Sequence, residues 1–217
     1  MTQSPLKEQY IFLGAPGTGK GTQALRVVKE LNLNHISTGD LLRREISKGT
    51  ELGSKVQSIL DAGELVDDST VLELLKANCD LQNNQYIFDG FPRNSEQASL
   101  LDEHVLRGVP AKAIYFDMDL EKLIERIVNR RVAPKSGEIY NLVSRPPKRD
   151  GICDISGEEL IHRKDDNEKT VTNRMRVYQD TIGPVLDFYR ERGVLHTVDA
   201  SKSSEKVFEE LCELIEA

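Results

Sequence analysis

The chain has no run of roughly 18 or more apolar residues, so no transmembrane helix is expected. Its first stretch, Met1–Gln9, is polar, includes Pro5 and Lys7, and lacks the apolar core of a secretory leader. Cysteine is scarce. Cys79, Cys153 and Cys212 are far apart and odd in number, which argues against a disulfide framework or a paired zinc motif. A reducing compartment fits best: cytoplasmic by preference, with the mitochondrial intermembrane space left open. Positive charge is also in short supply. Lys and Arg total 29 against 36 Asp and Glu, a net charge of −7. Broad nucleic-acid binding needs a basic face and is not expected. What remains is a 217-residue chain, 38% hydrophobic and 30% charged, long enough for one α/β domain with insertions.

Within it, Tyr10-Ile11-Phe12-Leu13 runs as an apolar strand straight into Gly14-Ala15-Pro16-Gly17-Thr18-Gly19-Lys20-Gly21-Thr22. The pattern is a glycine-rich phosphate loop in which Gly21 separates Lys20 from the hydroxyl of Thr22. Gly14, Gly17 and Gly19 let main-chain N–H groups crowd round a polyphosphate. Lys20 adds a point charge, and the helical run Thr22–Leu31 aims its positive end at the same place. A lone glycine turn would be unremarkable; strand, loop, lysine and helix together are not.

Strands and helices then alternate. Asn34–Ser37 is β-like and ends in Thr38-Gly39-Asp40, with Asp40 a candidate cap for a helix over Leu41–Lys48. Helical spacing predicts Glu51–Gly63, Asp68–Leu81, Asn94–Arg107, Glu121–Arg131 and Ser204–Ile215. Apolar strands are expected at Tyr86–Phe88, Ala113–Phe116 and Val194–Val198. Such alternation implies parallel βαβ units with helices on both faces of the sheet. From Val132 to about Asp166 the rhythm breaks into Pro- and Gly-punctuated β-like pieces, which reads as a small separate flap. His35, with no partner histidine nearby, reads as structural or surface.

Ligands of parallel sheets sit at the carboxyl ends of the strands. Asp89, ending a strand in Asp89-Gly90-Phe91-Pro92-Arg93, is placed to orient Mg²⁺, directly or through water. Arg43, Arg93, Arg126, Arg130, Arg163 and Arg174 come from scattered parts of the chain, with Arg126 and Arg130 expected on one face of one helix. Phosphoryl transfer needs donors around the moving phosphate, and guanidinium groups suit that geometry.

These motifs, with Ser37–Arg43, Asp61-Ala62-Gly63-Glu64-Leu65-Val66, Gln97 and Arg163-Lys164-Asp165-Asp166 through Arg174, resemble adenylate kinase of the long-lid type from Tyr10 to about Lys202. The resemblance implies a P-loop NTPase-type α/β fold: a five-stranded parallel sheet with a helical AMP-binding insertion and a β-rich lid. It divides the chain into a core (1–36, 67–128 and 167–217), an AMP insertion (37–66) and a lid (129–166). It implies reversible transfer, ATP + AMP to two ADP, with Mg²⁺, by direct attack and lid closure. A one-substrate-pair kinase of this size needs no partner, so a monomer is expected. ATP would meet Gly17, Thr18, Gly19, Lys20, Gly21, Thr22, Arg126, Arg130, Ile139, Tyr140 and the backbone at Lys202. AMP would meet Thr38, Gly39, Arg43, Glu64, Leu65, Val66, Gly90, Phe91, Arg93, Gln97, Arg163 and Arg174. Lys20, Arg93, Arg126, Arg130, Arg163 and Arg174 would surround the transferring phosphate, with Asp89 on the metal side.

The lid departs from the pattern of relatives that carry four metal ligands there. The matching positions are Ala133, Ser136, Cys153 and Ser156, a set unable to hold structural zinc, so a metal-free lid is expected. GTP:AMP transfer is the nearest alternative, because backbone contacts rather than side chains largely choose the donor base. A non-catalytic nucleotide-binding protein would be expected to have lost Lys20 or some of the arginines.

Overall fold

The computed structural model describes residues 7–217; residues 1–6, within the stretch read as lacking a leader, lie outside it. Strand β1 (Gln9–Leu13) is buried along its whole length. Helix α1 (Lys20–Leu31) starts before Thr22 because Gly19, at φ 99°, supplies a left-handed N-cap that few other residues tolerate. Strand β2 (Asn34–Ser37) leads into α2 (Thr38–Lys48). Here Ser37, not Asp40, caps the helix, its hydroxyl accepting from the Asp40 N–H. That leaves the Asp40 carboxylate free for another task. Helix α3 (Glu51–Ala62) begins at Thr50 and stops at left-handed Gly63; α4 (Asp68–Asn78) begins at Asp67, whose carboxylate accepts from the Thr70 N–H.

Strand β3 (Tyr86–Asp89) is followed by α5 (Ser95–Leu101), capped by Asn94 and running on as a π-helical turn over Asp102–Leu106. After β4 (Ala111–Asp117), a short 3-10 turn leads to α6 (Leu123–Val128). The expected single helix to Arg131 is not formed. Arg130–Val132 is instead strand β5, antiparallel to β6 (Ile139–Asn141), and Val132 also bridges to Ile161. Cross-strand partners on both sides outcompete one more helical turn. Arg126 and Arg130 therefore do not share a helix face. Helix α7 (Glu168–Glu191), strand β7 (Leu195–Asp199) and α8 (Ser204–Glu216) complete the described chain.

The large sheet has the order β2-β3-β1-β4-β7, with every pairing parallel. Side chains alternate along β1. Ile11 and Leu13 join Phe88, Leu75, Leu101 and Val185 on one face; Tyr10 and Phe12 join Val27, Phe116, Val207 and Leu211 on the other. Helices thus cover both faces, as strand–helix alternation requires. The path leaves β1 toward one edge and after β3 crosses to the other, so the carboxyl ends of β1 and β3 border the crevice where connections diverge. A smaller sheet, β5-β6, carries its own buried cluster of Ala133, Tyr140, Cys153 and Leu160. No helix among the described residues is long and apolar enough to cross a membrane.

Candidate active site

A cleft of about 580 Å³ opens at those carboxyl ends. Register fixes its floor: Asp89 lies opposite Phe12 on one side and Ser37 on the other. The loop after β1 wraps over it. At Gly17, φ +88° and an Ile127 carbon 2.9 Å from any added Cβ exclude a side chain twice over. Lys20 Nζ donates to the Gly14 carbonyl (2.6 Å) and the Ala15 carbonyl (2.9 Å), curling back inside its own loop. Burial pulls its pKa down to about 8; Asp89 opposes this, while Arg93, Arg174 and Arg130 reinforce it.

Asp89 is 13% exposed and accepts from His35 Nε2 at 3.4 Å. Burial would raise its carboxyl, but the His35 hydrogen bond and the Lys20 charge hold it below the usual range. His35 is therefore a contact of the cleft's acid. A period-two reading of β2, pairing His35 with the side of β3 that carries Asp89, was the available signal. Any Cβ on Gly21 would sit 3.5 Å from both Asp89 Oδ2 and Ile139 Cδ1, so loop, strand end and small sheet converge there.

The arginines converge as well, and carboxylates hold them. Asp40 Oδ1 accepts from Arg43 Nη2 (2.7 Å) and Arg163 Nη2 (3.0 Å). Arg174 Nη1 lies 3.2 Å from Asp165 Oδ2 and 3.6 Å from Asp166 Oδ1. Arg130 grips the fully buried Asp166 with Nε (2.8 Å) and Nη2. Burial drags Arg174 down to about 9 and Arg163 to about 10, with like-charged neighbours adding to it. Burial would raise the Asp40 carboxyl, but Arg43 and Arg163 hold it far below the usual range. Arg93 Nε donates to the Gly90 carbonyl (2.7 Å), while Arg126 lies against Met118 and its carbonyl accepts from Asn141 of β6.

Of the residues expected from sequence, Gly17, Thr18, Gly19, Lys20, Gly21, Thr22, Gly39, Arg43, Glu64, Leu65, Asp89, Gly90, Arg93, Arg126, Arg130, Ile139, Tyr140, Arg163, Arg174 and Lys202 line the cleft. Thr38, Val66, Phe91 and Gln97 do not; they are buried behind its wall. Thr38 Oγ1 donates to the Gly90 carbonyl (2.8 Å). Gln97 Oε1 accepts from the Arg93 N–H (2.7 Å), and its Nε2 donates to Asp68 (2.7 Å). Both fasten the segment that presents Arg93. The counter-ion duty of Asp40, Asp165 and Asp166 was not read from the sequence, since pairing across distant segments leaves no local period.

This combination of phosphate loop and converging arginines has known counterparts. The sequence profile described as adenylate kinase matches residues 12–194. The chain is 41% identical over 209 residues to the adenylate kinase of Petrotoga mobilis, covering 95% of this chain and 97% of that one. It is 43% identical over 211 residues to that of Archaeoglobus fulgidus, covering 95% and 97%. The adenylate kinase of Chloroherpeton thalassium matches at 41% over 212 residues, with the same coverage. The chain belongs to the adenylate kinase family. It is a nucleoside monophosphate kinase of the P-loop class, and the general reaction of adenylate kinases is ATP + AMP to two ADP, run reversibly.

In the small sheet the four positions expected to match the metal ligands of some relatives meet. Ser136 Oγ lies 3.4 Å from Ser156 Oγ and 4.0 Å from Cys153 Sγ, with Tyr140 OH 3.5 Å from the same sulfur and Ala133 fully buried alongside. Glu158 supports them, accepting from the N–H groups of Lys135 (2.8 Å) and Ser136 (2.9 Å) and from Ser156 Oγ (2.8 Å). Among the described residues no cluster of three His, Cys, Asp or Glu side chains is arranged to hold a metal.

Proposed function

We propose that this chain carries out the family reaction with ATP held between the phosphate loop and lid and AMP on the side of residues 37–66. The division into core (1–36, 67–128, 167–217), AMP insertion (37–66) and lid (129–166) belongs to the same reading. The observation that carries it is the convergence on one cleft of Lys20 with arginines from α2, the β3–α5 segment, α6, the lid and α7. Gly17 to Thr22, Arg126, Arg130, Ile139, Tyr140 and Lys202 hold the donor. Gly39, Arg43, Glu64, Leu65, Gly90, Arg93, Arg163 and Arg174 hold the acceptor, with Thr38, Val66, Phe91 and Gln97 shaping that wall from behind.

No protein nucleophile is required. An oxygen of the AMP phosphate attacks the terminal phosphorus of ATP, and the bond to the leaving ADP oxygen breaks in line. Lys20, Arg93, Arg126, Arg130, Arg163 and Arg174 share the charge on the moving phosphoryl oxygens. Asp40, Asp165 and Asp166 keep the guanidinium groups gathered, and phosphate oxygens take over as acceptors when the nucleotides enter. Closing the lid excludes water, the competing acceptor.

The ionised, recessed Asp89 beside Lys20 and Gly21 is an oxygen donor of the type Mg²⁺ accepts, so the residues present fit a water-mediated Mg²⁺ on the nucleotide. When bound, that ion neutralises charge on the phosphates. Structural zinc is not part of the proposal, because one thiol and two hydroxyls are too few zinc donors. A cytoplasmic monomer, acting on ATP, AMP and ADP without nucleic acid or membrane, completes the reading.

A coupled assay for ADP from ATP and AMP with Mg²⁺ tests it. Turnover is expected with ATP, and turnover with GTP above that with ATP would shift the assignment to GTP:AMP transfer. ATP consumption independent of AMP would overturn both. Arg93→Ala should cut kcat by about 10³-fold while leaving thermal unfolding nearly unchanged.

A further inference from the structure

The adenylate kinase reading leaves Thr170 and Asn173 of α7 without a role, yet both reach across to the segment that ends the 37–66 insertion. Thr170 Oγ1 donates to the Asp61 carbonyl at 2.7 Å. Asn173 Nδ2 donates to the Ala62 carbonyl and to Glu64 Oε1, each at 2.8 Å. Asp61 and Ala62 close α3, so their carbonyls are among those a helix end leaves without intrahelical partners. Two side chains of a different helix satisfy them. Between these contacts lies Gly63, at φ +77°, where an added Cβ would meet the Thr170 carbonyl at 2.7 Å and Arg174 Cγ at 2.9 Å. The segment thus rests directly on the aliphatic stem of Arg174, whose guanidinium faces the cleft that Gly63, Glu64 and Leu65 also line.

We infer that Thr170 and Asn173 are positioning residues that fix the acceptor-side strip 61–65 at a set distance from Arg174, so that the acceptor half of the cleft is measured for a nucleoside monophosphate. This rests on the assignment of that half to AMP. The physical reason is rigidity. Residues 170, 173 and 174 fall within about one turn of one helix, so strip and phosphate-binding guanidinium are held together as a unit. Neither Thr170 nor Asn173 needs to touch the nucleotide.

The test compares Asn173→Ala and Thr170→Val with the unmodified chain, in steady-state assays and by calorimetric titration of AMP alone. Asn173 is only half-buried, so its truncation leaves folding intact even if the Thr170 variant proves unstable. Loss of one or two modest hydrogen bonds to the strip predicts a KM and Kd for AMP raised roughly threefold to tenfold; the Asn173 amide oxygen also accepts from Arg176 on its own helix, away from the strip. The KM for ATP and the Tm of Asn173→Ala should stay as they were. Unchanged AMP affinity in Asn173→Ala, or equal rises in both KM values, overturns the inference. If the unmodified chain itself fails to bind AMP, the assignment of the acceptor half fails first and takes the inference with it; binding by the unmodified chain with equal binding by the variants sinks the inference alone.

Discussion

The large sheet and the small sheet proposed as the lid are both β-structures, yet opposite balances of forces hold them. In the sheet, Ile11, Ile87, Phe88, Ala113, Ile114 and Val198 are wholly buried between two layers of helices. The lid buries one small cluster, Ala133, Tyr140, Cys153 and Leu160, with Val132 beside the sheet seam, and leaves Val143 and Ile155 about two-thirds exposed, at 67% and 70%. What the lid lacks in apolar burial it replaces with local polar contacts. Tyr140 OH accepts from the Asp154 N–H (2.8 Å), and Glu158 collects its three donors. Elements with little buried surface open at lower free energy than the core around them. If the small sheet is the lid proposed above, opening for nucleotide exchange and shutting for chemistry suit that end of the range.

The contrast breaks most visibly under matched aromatic truncations. Phe88→Ala should destabilise the whole chain by about 3–5 kcal/mol, because its cavity lies where helices on one side and strands on the other cannot collapse. Denaturant unfolding would show it as one cooperative shift. Tyr140→Ala should leave the global transition nearly in place and raise the KM for ATP, since only the lid loses its centre. If the two variants lowered the global midpoint equally, lid and sheet would be one cooperative unit and the contrast would be false.

The same contrast explains what the sequence made legible. Burial writes periodic patterns, so β1, the helices expected over 51–63 and 68–81, and the parallel alternation could be read directly, though the second helix stops at Asn78. The loop Gly14–Thr22 was legible because its glycines and lysine are adjacent in the chain. Local polar structure is written less clearly. The end of α6 depended on β6 and Ile161 offering partners to residues 130–132, which no helical window can register. Asp40 looked like a helix cap because Asp is a good one; only the fold shows Ser37 in that post and Arg163 brought to Asp40 from 123 residues away. The roles of Thr170 and Asn173 were hidden for the same reason.

Titration sharpens the comparison next, because Lys20 is moved mainly by burial. Its folded pKa of about 8 lies below the ordinary 10.5. The cation therefore costs the free protein stability, fully below pH 8 and progressively less as pH rises through that window toward 10.5. A bound polyphosphate restores the ammonium. Nucleotide binding above pH 8 should then take up a proton, and affinity should fall with pH by at most about tenfold per unit. Calorimetry at pH 8.5 in buffers of differing ionisation enthalpy should show uptake of roughly half a proton or more, absent in Lys20→Arg. Zero uptake by the unmodified chain would mean that the loop already stabilises the charge before ligand arrives.

Glu158 is the lid's counterpart, and its effect is the smallest expected. Burial would raise its carboxyl, but the N–H groups of Ser136 and Lys135 and the nearby serine hydroxyls outweigh it and bring the pKa to about 2. The sign is opposite to that of Lys20: a depressed carboxylate supports the folded lid above about pH 4.5 and loses that support as pH falls toward 2. At neutral pH the contribution is fully present, so Glu158→Gln should remove it without acid. The amides of Lys135 and Ser136 should then exchange with solvent several-fold faster, while those of Ile11 and Phe88 keep their protection. Because the glutamine oxygen still accepts but carries no charge, a modest local change is the expected result. Faster exchange throughout the sheet would show instead that the lid's polar network reaches into the core's stability, and the two regions would no longer count as separately held.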